Sequence, residues 1–446
     1  MKGRDEVKSK LFIKVLSLIM CPIIVLPLSN SARATNANHE NKYVISNPYE
    51  SVEWGEHTAY KAQLHCHTNA SDGVPTVKEV VQDCYDLDYD ILALTDHGTL
   101  NKGWNIEPDL IPILRFIKRE RTKMADIVPL SDEEYNYYLN GTDRNGRGML
   151  DVPLGIELNA ATPVAGCHLT GYFCEYGQGL LGVYGDYETP AEEVKKAGGI
   201  TMLSHLGSYT KAQKDPDKSS LQKNVKKFAN VFINNANSCV GMGINSSTDS
   251  QTKHDRILYD NILKMTLPHG VTPWAFTFSD AHTLDKSDIA FTMHMMEENN
   301  LLNLRESMEN GTFFSVSRYA RYELSDDFVG EGPEPMVTNI TVDTENATIS
   351  VDGTNYDNIV WIADGKKVAQ GNTAISLHDD CKADYFIRFY LTGPGGICYS
   401  QPFAVNIEGE EMPKENLNKT FDISTVLRLI VSVLDDLIFQ RSIVIK

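Results

Sequence analysis

Between residues 60 and 320 the hydrophobic pattern switches repeatedly between a period of two and a helical period, as strands alternating with helices require. Ala59 to Cys66 alternates in polarity and predicts a strand. Thr76 and Glu79 form a capping box, after which Val77, Val80, Val81 and Cys84 fall on one helical face. ILALT (91–95) is a short apolar run bounded by turn residues, as expected of a buried strand. The cycle recurs. VPLGIEL (152–158) predicts a strand, Thr189-Pro190-x-Glu192 opens a helix that Gly198-Gly199 closes, and ITMLSH (200–205) predicts the next strand. A helix near Ile257–Met265, the strand VTPWAFTFSD (271–280) and the helix LLNLRESMENG (301–311) follow. Repeated β-α units of this kind point to an α/β fold built on a parallel sheet or barrel.

Three stretches depart from this rhythm. Residues 105–150 contain basic FIKRERTK, acidic SDEEYNYY and NGTDRNGRG, and are read as an insertion over one end of the barrel. From Pro335 the pattern becomes short β-type segments separated by turns: TNITV, ATISV, NIVWIA, YFIRFYL and CYSQPFAV. They predict a small all-β sandwich over 335–407. Residues 408–446 form an acidic linker and an amphipathic helix, ISTVLRLIVSVLDDLIFQ, which could dock on the protein, a partner or a membrane surface. At the other end, Lys2, Arg4, Lys8, Lys10 and Lys14 lead into an apolar run that ends near Leu28. Ser31-Ala32-Arg33-Ala34 then suits a signal peptidase, so 1–34 is read as a signal peptide and the protein as exported.

Composition narrows the function. At 446 residues, 42% hydrophobic and 23% charged, the chain is globular and large enough for two or three domains. Its net charge of -19 disfavours wrapping a long nucleic acid, whose phosphates call for Lys and Arg. The first 34 residues carry six basic and two acidic groups, so their removal leaves -23. The cysteines show no CxxC pair and give no support to a cysteine-built zinc site, although an oxidising compartment permits disulfides.

Chemistry concentrates at six places: His65-Cys66-His67 with Asp72, Asp96-His97, Glu157, His168, His205, and Asp280 with His282. Two histidines two apart on a strand face the same side and can reach one ion. Nearly all these groups sit at predicted strand ends, and the C-terminal strand ends of a β/α barrel converge on one face. Imidazole and carboxylate together suit zinc, manganese or iron. His168 taken singly reads as a core residue; the set taken together reads as a metal cluster.

The motifs HCHTNASDG, TDHGT, GIEL, CHLTGY, LSH and SDAH resemble, in order, those of the PHP (polymerase and histidinol phosphatase) superfamily over about residues 57–320. The resemblance implies a distorted (βα)7 barrel holding two or three divalent ions. It implies that His65, His67, Glu157 and Asp280 bind the first, that Glu157 bridges to a second held by His168 and His205, and that Asp72, His97 and His282 hold a third. It further implies an exported phosphoesterase that hydrolyses a small phosphomonoester or phosphodiester with a metal-bridging hydroxide. Asp96 would orient a ligand, and Lys102, Arg144 and Arg147 are candidate phosphate clamps. A metal-dependent amidohydrolase and a non-catalytic exported binding module remain the alternatives.

Overall fold

Tyr43–Ser46 (β1) lies at the edge of the main sheet, and Thr58–Gln63 (β2) opens the part of the chain that carries the metal-type residues. The Thr76–Glu79 capping box is formed and starts α1 (Val77–Asp86). Its predicted apolar face, Val77, Val80, Val81 and Cys84, is buried. Ile91–Leu92 (β3) follows, then a small hairpin of Thr99–Leu100 (β4) and Asp109–Leu110 (β5). The computed structural model describes residues 42–110, 127–158, 167–177 and 184–415, together with Leu417 and Ile430. The expected signal peptide, the basic part of the insertion and nearly all of the helical tail lie outside the described residues.

The described part of the insertion folds onto α1. Ser131 and Glu134 form a second capping box on α2 (Asp132–Asn140). This helix is tied to α1 by a Lys78–Glu134 ion pair, by Tyr138 Oη donating to Gln82 Oε1 at 2.5 Å, and beyond its end by Tyr85 Oη donating to Asp143. Leu150–Asp151 (β6) then returns to pair parallel with β3.

Next come Ile156–Leu158 (β7), Leu169–Tyr172 (β8), α3 (Glu188–Lys196), Ile200–Leu203 (β9), the short α4 (Leu206–Thr210), α5 (Gln222–Asn234) and Cys239–Ser246 (β10). They are followed by α6 (Asp255–Thr266), Trp274–Phe278 (β11), Ala290–Met296 (β12), α7 (Leu301–Asn310) and Phe313–Ser317 (β13). β7 to β11 form one sheet in sequence order. It is not uniformly parallel: β8 runs antiparallel to both β7 and β9. Only residues 159–168 separate β7 from β8, fewer than a parallel crossover needs. Thr189 does not cap α3 as the sequence pattern predicts. It lies inside the first turn, where its N–H donates to Asp186 Oδ1 at 3.1 Å.

Strand β10 escapes the sequence pattern because glycines interrupt it, yet all eight residues are buried. The glycines let neighbouring strands pack closely: a Cβ at Gly243 would lie 2.4 Å from the Phe278 ring. Two isolated parallel bridges, Cys66 with Ala281 and His97 with Glu157, join the edges of this sheet to the extensions of β2 and β3.

The C-terminal strands are Met336–Asp343 (β14), Thr348–Thr354 (β15), Asn358–Ala363 (β16), Lys366–Gln370 (β17), Ala374–Ser376 (β18), Phe386–Gly393 (β19), Gly396–Tyr399 (β20) and Phe403–Ile407 (β21). β14, β15 and β18 form a three-stranded sheet whose Ile340, Ile349, Val351 and Ile375 share a core with Trp361, Phe389 and Phe403. The other five strands of this region do not stand apart from the α/β part. β20 pairs antiparallel with β13, and through β13, β12 and β2 they belong to one eleven-stranded sheet. The predicted boundary at 335 therefore falls inside a shared sheet.

Candidate metal centre

The backbone beyond β2 stays extended. His67 N–H donates to Ala281 O at 2.9 Å, and Asp280 N–H to His65 O at 3.1 Å. Alternation sends His65 and His67 to one side, while Cys66 turns to the core and its thiol faces Ala93 O at 3.5 Å. The same hydrogen bonds bring Asp280 beside the two histidines. Asp280 takes a left-handed backbone, φ 51°, and His205 takes φ 29°. Non-glycine residues in that region are uncommon and gather at functional sites.

After β3, Asp96 O accepts from Glu157 N–H at 3.3 Å and Gly98 N–H donates to Glu157 O at 2.9 Å, which sets His97 against Glu157. His168 precedes β8. Because that strand runs backwards, its N-terminal end points where its neighbours' C-terminal ends do. The loop bearing Asp72 is pinned by Val74 N–H donating to His282 O at 2.8 Å. Gly73 permits the close approach, since a Cβ there would lie 2.6 Å from the His67 carbonyl.

The structure thus brings all nine predicted ligand residues together. Atoms of eight of them fall into three groups that could hold a metal ion, His205 being in none: His65, His67, Glu157 and Asp280; His97, Glu157 and His168; and His67, Asp72, His97 and His282. Glu157 is fully buried at the centre. Its Oε2 lies 2.9 Å from His97 Nδ1 and 3.2 Å from both His65 Nε2 and His67 Nε2. Its Oε1 lies 2.9 Å from His168 Nδ1 and 3.6 Å from His205 Nε2. His205 Nε2 is also 3.3 Å from His168 Nδ1, on the same side of Glu157. His97 does not belong to the outer group alone, as the resemblance implies; its Nδ1 meets Glu157 and its Nε2 lies 3.6 Å from Asp72.

These approaches are short, but neither Glu157 oxygen receives an aligned hydrogen bond, nor do His65 Nδ1 and His97 Nδ1 have one. A buried carboxylate left in that state is costly, and a cation at the point where the nitrogens converge removes the cost. The donor set of imidazole nitrogen and carboxylate oxygen fits a divalent ion of borderline character. Burial would raise the Glu157 pKa, but His97, His168 and His65 outweigh it and hold the carboxyl well below its ordinary value. Asp280 and Asp72 are likewise lowered against burial, by His65 and His67 and by His282 and His97 respectively. Burial lowers His65, whereas Asp280 and Glu157 overcome burial to raise His67. The lowered carboxylates draw on the positive charge of neighbouring imidazoles, a charge that a bound cation would supply in their place.

Asp96 is no part of the three groups. It is buried and accepts from Thr68 N–H, Thr68 Oγ1 and Ser71 Oγ. The proposed clamps lie elsewhere. Arg147 is held by Asp90 at 2.6 Å, and Arg144 Nη1 donates to Tyr89 O at 3.0 Å with its ring-facing side over Tyr85. Both contacts are at the N-terminal end of β3, opposite the metal-type residues, which corrects their assignment to phosphate. Lys102 stands five residues beyond His97, and its ammonium is taken by Asp109. The thiols of Cys66, Cys84, Cys174, Cys239, Cys381 and Cys398 are free.

No curated protein matches the chain. Among solved structures, a two-domain protein from Bacteroides vulgatus described as containing a PHP-like metal-dependent phosphoesterase is 15% identical. The match covers 80% of this chain and 88% of that one, with a TM-score of 0.39. A lesion-specific endonuclease from Pyrococcus furiosus is 12% identical, covering 56% of each chain at a TM-score of 0.33. An amidohydrolase from Chromobacterium violaceum is 15% identical over 50% of this chain and 87% of that one, at 0.26. At these values the likenesses carry no argument about the reaction. The family comparison is local and falls on the site: this is a mixed α/β protein in which residues 63–171, from the HxH strand through His168, match the PHP domain.

Proposed function

We propose that this protein is a metal-dependent hydrolase of phosphate esters. The observation that carries the proposal is Glu157: a fully buried carboxylate with no aligned hydrogen bond, ringed by imidazole nitrogens at 2.9–3.6 Å. Its two oxygens face different histidines, so it would serve two cations at once. His65, His67, Asp280 and Glu157 would hold one, Glu157 with His168 and His205 a second, and Asp72, His97 and His282 a third. We take β2, β3 and β7–β11, linked by the two isolated bridges, as a distorted (βα)7 barrel. Divalent cations, when bound, supply charge neutralisation and water activation.

The chain's own groups divide the remaining work. His65, His67 and Glu157 are buried and exclude water from the inner side. Asp72, His168 and His282 are 58%, 31% and 37% exposed, so an ester would arrive from their side. His282 Nδ1–H donates to Asp280 O at 2.9 Å, which turns Nε2 toward Asp72 at 3.3 Å; where no third cation is held, His282 or His97 could instead hold a proton for a leaving oxygen. Export and a small phosphorylated substrate belong to the same proposal.

The test is metal content together with turnover. The purified chain, supplemented with manganese, zinc or iron, is expected to hold at least one ion and to release nitrophenol from mono- or bis-nitrophenyl phosphate. His67→Ala should abolish release while leaving the circular dichroism spectrum unchanged. Less than one ion per chain, or full turnover by His67→Ala, would overturn the assignment. Bound metal with activity only on amide substrates would replace the phosphoesterase by an amidohydrolase.

A further inference from the structure

His67 sits between two of the three ligand groups, and which of its nitrogens is available depends on residues outside them. Nε2 faces Asp280 at 3.1 Å, Glu157 at 3.2 Å and His65 at 3.3 Å. Nδ1 faces Ser71 Oγ at 3.3 Å; the competing oxygen, Asp72 Oδ1, is 3.8 Å away. Ser71 Oγ in turn lies 2.6 Å from Asp96 Oδ1. The direction of this chain is fixed at its far end. Asp96 Oδ1 also accepts from Thr68 N–H at 2.7 Å. Its Oδ2 accepts from Thr68 Oγ1 at 2.8 Å, and that hydroxyl itself accepts from Ala70 N–H at 3.1 Å. The carboxylate therefore acts as acceptor throughout, Ser71 must donate to it, and only lone pairs of Ser71 remain for His67. Nδ1 must then carry the hydrogen.

We propose that Asp96 and Ser71 are positioning residues that fix His67 with its hydrogen on Nδ1 and its Nε2 lone pair toward Glu157 and Asp280. All members of the chain are buried, so water does not compete for either bond. One consequence separates two ligand sets: with Nδ1 engaged by Ser71, His67 belongs to the inner group alone, and the outer group is Asp72, His97 and His282. The carboxylate reaches the imidazole through a hydroxyl, which makes Ser71 as necessary as Asp96. Partners of this kind typically change metal affinity by roughly 10–100-fold.

The inference rests on the proposed metal centre, and the experiment keeps the two apart. Full-length wild type, Ser71→Ala, Ser71→Thr, Asp96→Asn and the double variant Ser71→Ala/Asp96→Asn are stripped of metal and titrated with Zn²⁺ or Mn²⁺ against a chromophoric chelator. Thermal midpoints of the metal-free forms are recorded alongside. Ser71→Ala is expected to weaken the tightest site about 10–100-fold with little change in midpoint. Ser71→Thr, which keeps the hydroxyl, should bind within about threefold of wild type, and the double variant no worse than the weaker single one. Wild-type affinity in Ser71→Ala, or a purely additive double variant, overturns the relay while leaving the centre standing. A wild type that takes up no metal overturns the centre and the relay together.

Discussion

Glycine 73 shows how narrowly single residues are constrained at this site. The loop from Ser71 to Pro75 must fold back over His67 to deliver Asp72, and a Cβ at position 73 would meet the His67 carbonyl carbon and oxygen at 2.6 Å and Thr68 N at 2.8 Å. These are backbone atoms and cannot swing aside. Gly73→Ala is therefore expected to displace Asp72 and lower metal stoichiometry, with the inner four ligands still occupied; chelator titration counts the sites. Unchanged stoichiometry would show that the loop relaxes. At this scale much was legible from the chain. HxH spacing on a strand forces two imidazoles to one side whatever the rest of the fold does. What could not be read was the partner of a charge: Arg144 and Arg147 look like anion ligands until Asp90 and the Tyr89 carbonyl are seen beside them.

Among the elements, the capping box at Thr76 was legible because its hydrogen bonds close within four residues. The direction of β8 was not, because alternation reads the same in both directions. The edge of the main sheet offers a test. Asp151, in β6, is pushed up to about 7 by burial, despite accepting from Trp104 N–H at 3.0 Å. In the unfolded chain an Asp titrates near ~3.9. Between those values the folded protein holds a proton that the unfolded chain has lost, so this group's contribution to stability falls as pH rises from about 4 to about 7 and is constant above. Asp151→Asn keeps an acceptor for Trp104 and removes the titration. The variant should gain on wild type progressively over that window, reaching roughly 1–4 kcal/mol at pH 8. Urea midpoints at pH 5, 6, 7 and 8 measure it, and a pH-independent difference would refute it.

The whole molecule is held by links across the position where its sequence texture changes. Arg388 in β19 pairs bidentately with Asp260 in α6, both bonds at 2.8 Å and both partners buried. Gln401 reaches both the N–H and the carbonyl of Ala275, and its own N–H donates to Tyr49 Oη at 2.9 Å. With β13–β20 pairing added, the C-terminal strands and the α/β part should unfold in one transition. Arg388→Ala would leave Asp260 buried and uncompensated, at a cost of about 3–5 kcal/mol. Replacing both, Arg388→Met with Asp260→Leu, should recover most of it. Denaturation followed by tryptophan fluorescence and circular dichroism would report two separate transitions if the two parts were independent. Among the described residues, no helix is long and apolar enough to cross a membrane.

The sequence by itself determined what depends on near neighbours. These are most of the strands and helices though not β10, the cap at Thr76, and the residue types offered at the strand ends. Because a strand has a period of two and a helix 3.6, it also determined which side chains share a face. Tertiary structure decided everything that needed distant segments to meet. Pairing across β13 and β20 put five of the eight C-terminal strands into the same sheet as β2, which leads into the HxH motif. An antiparallel β8 delivered His168 from its N-terminal end. The convergence of five segments on Glu157 left its carboxylate buried among nitrogens. Those contacts depend on register and strand direction between residues tens to hundreds of positions apart, which no local period encodes.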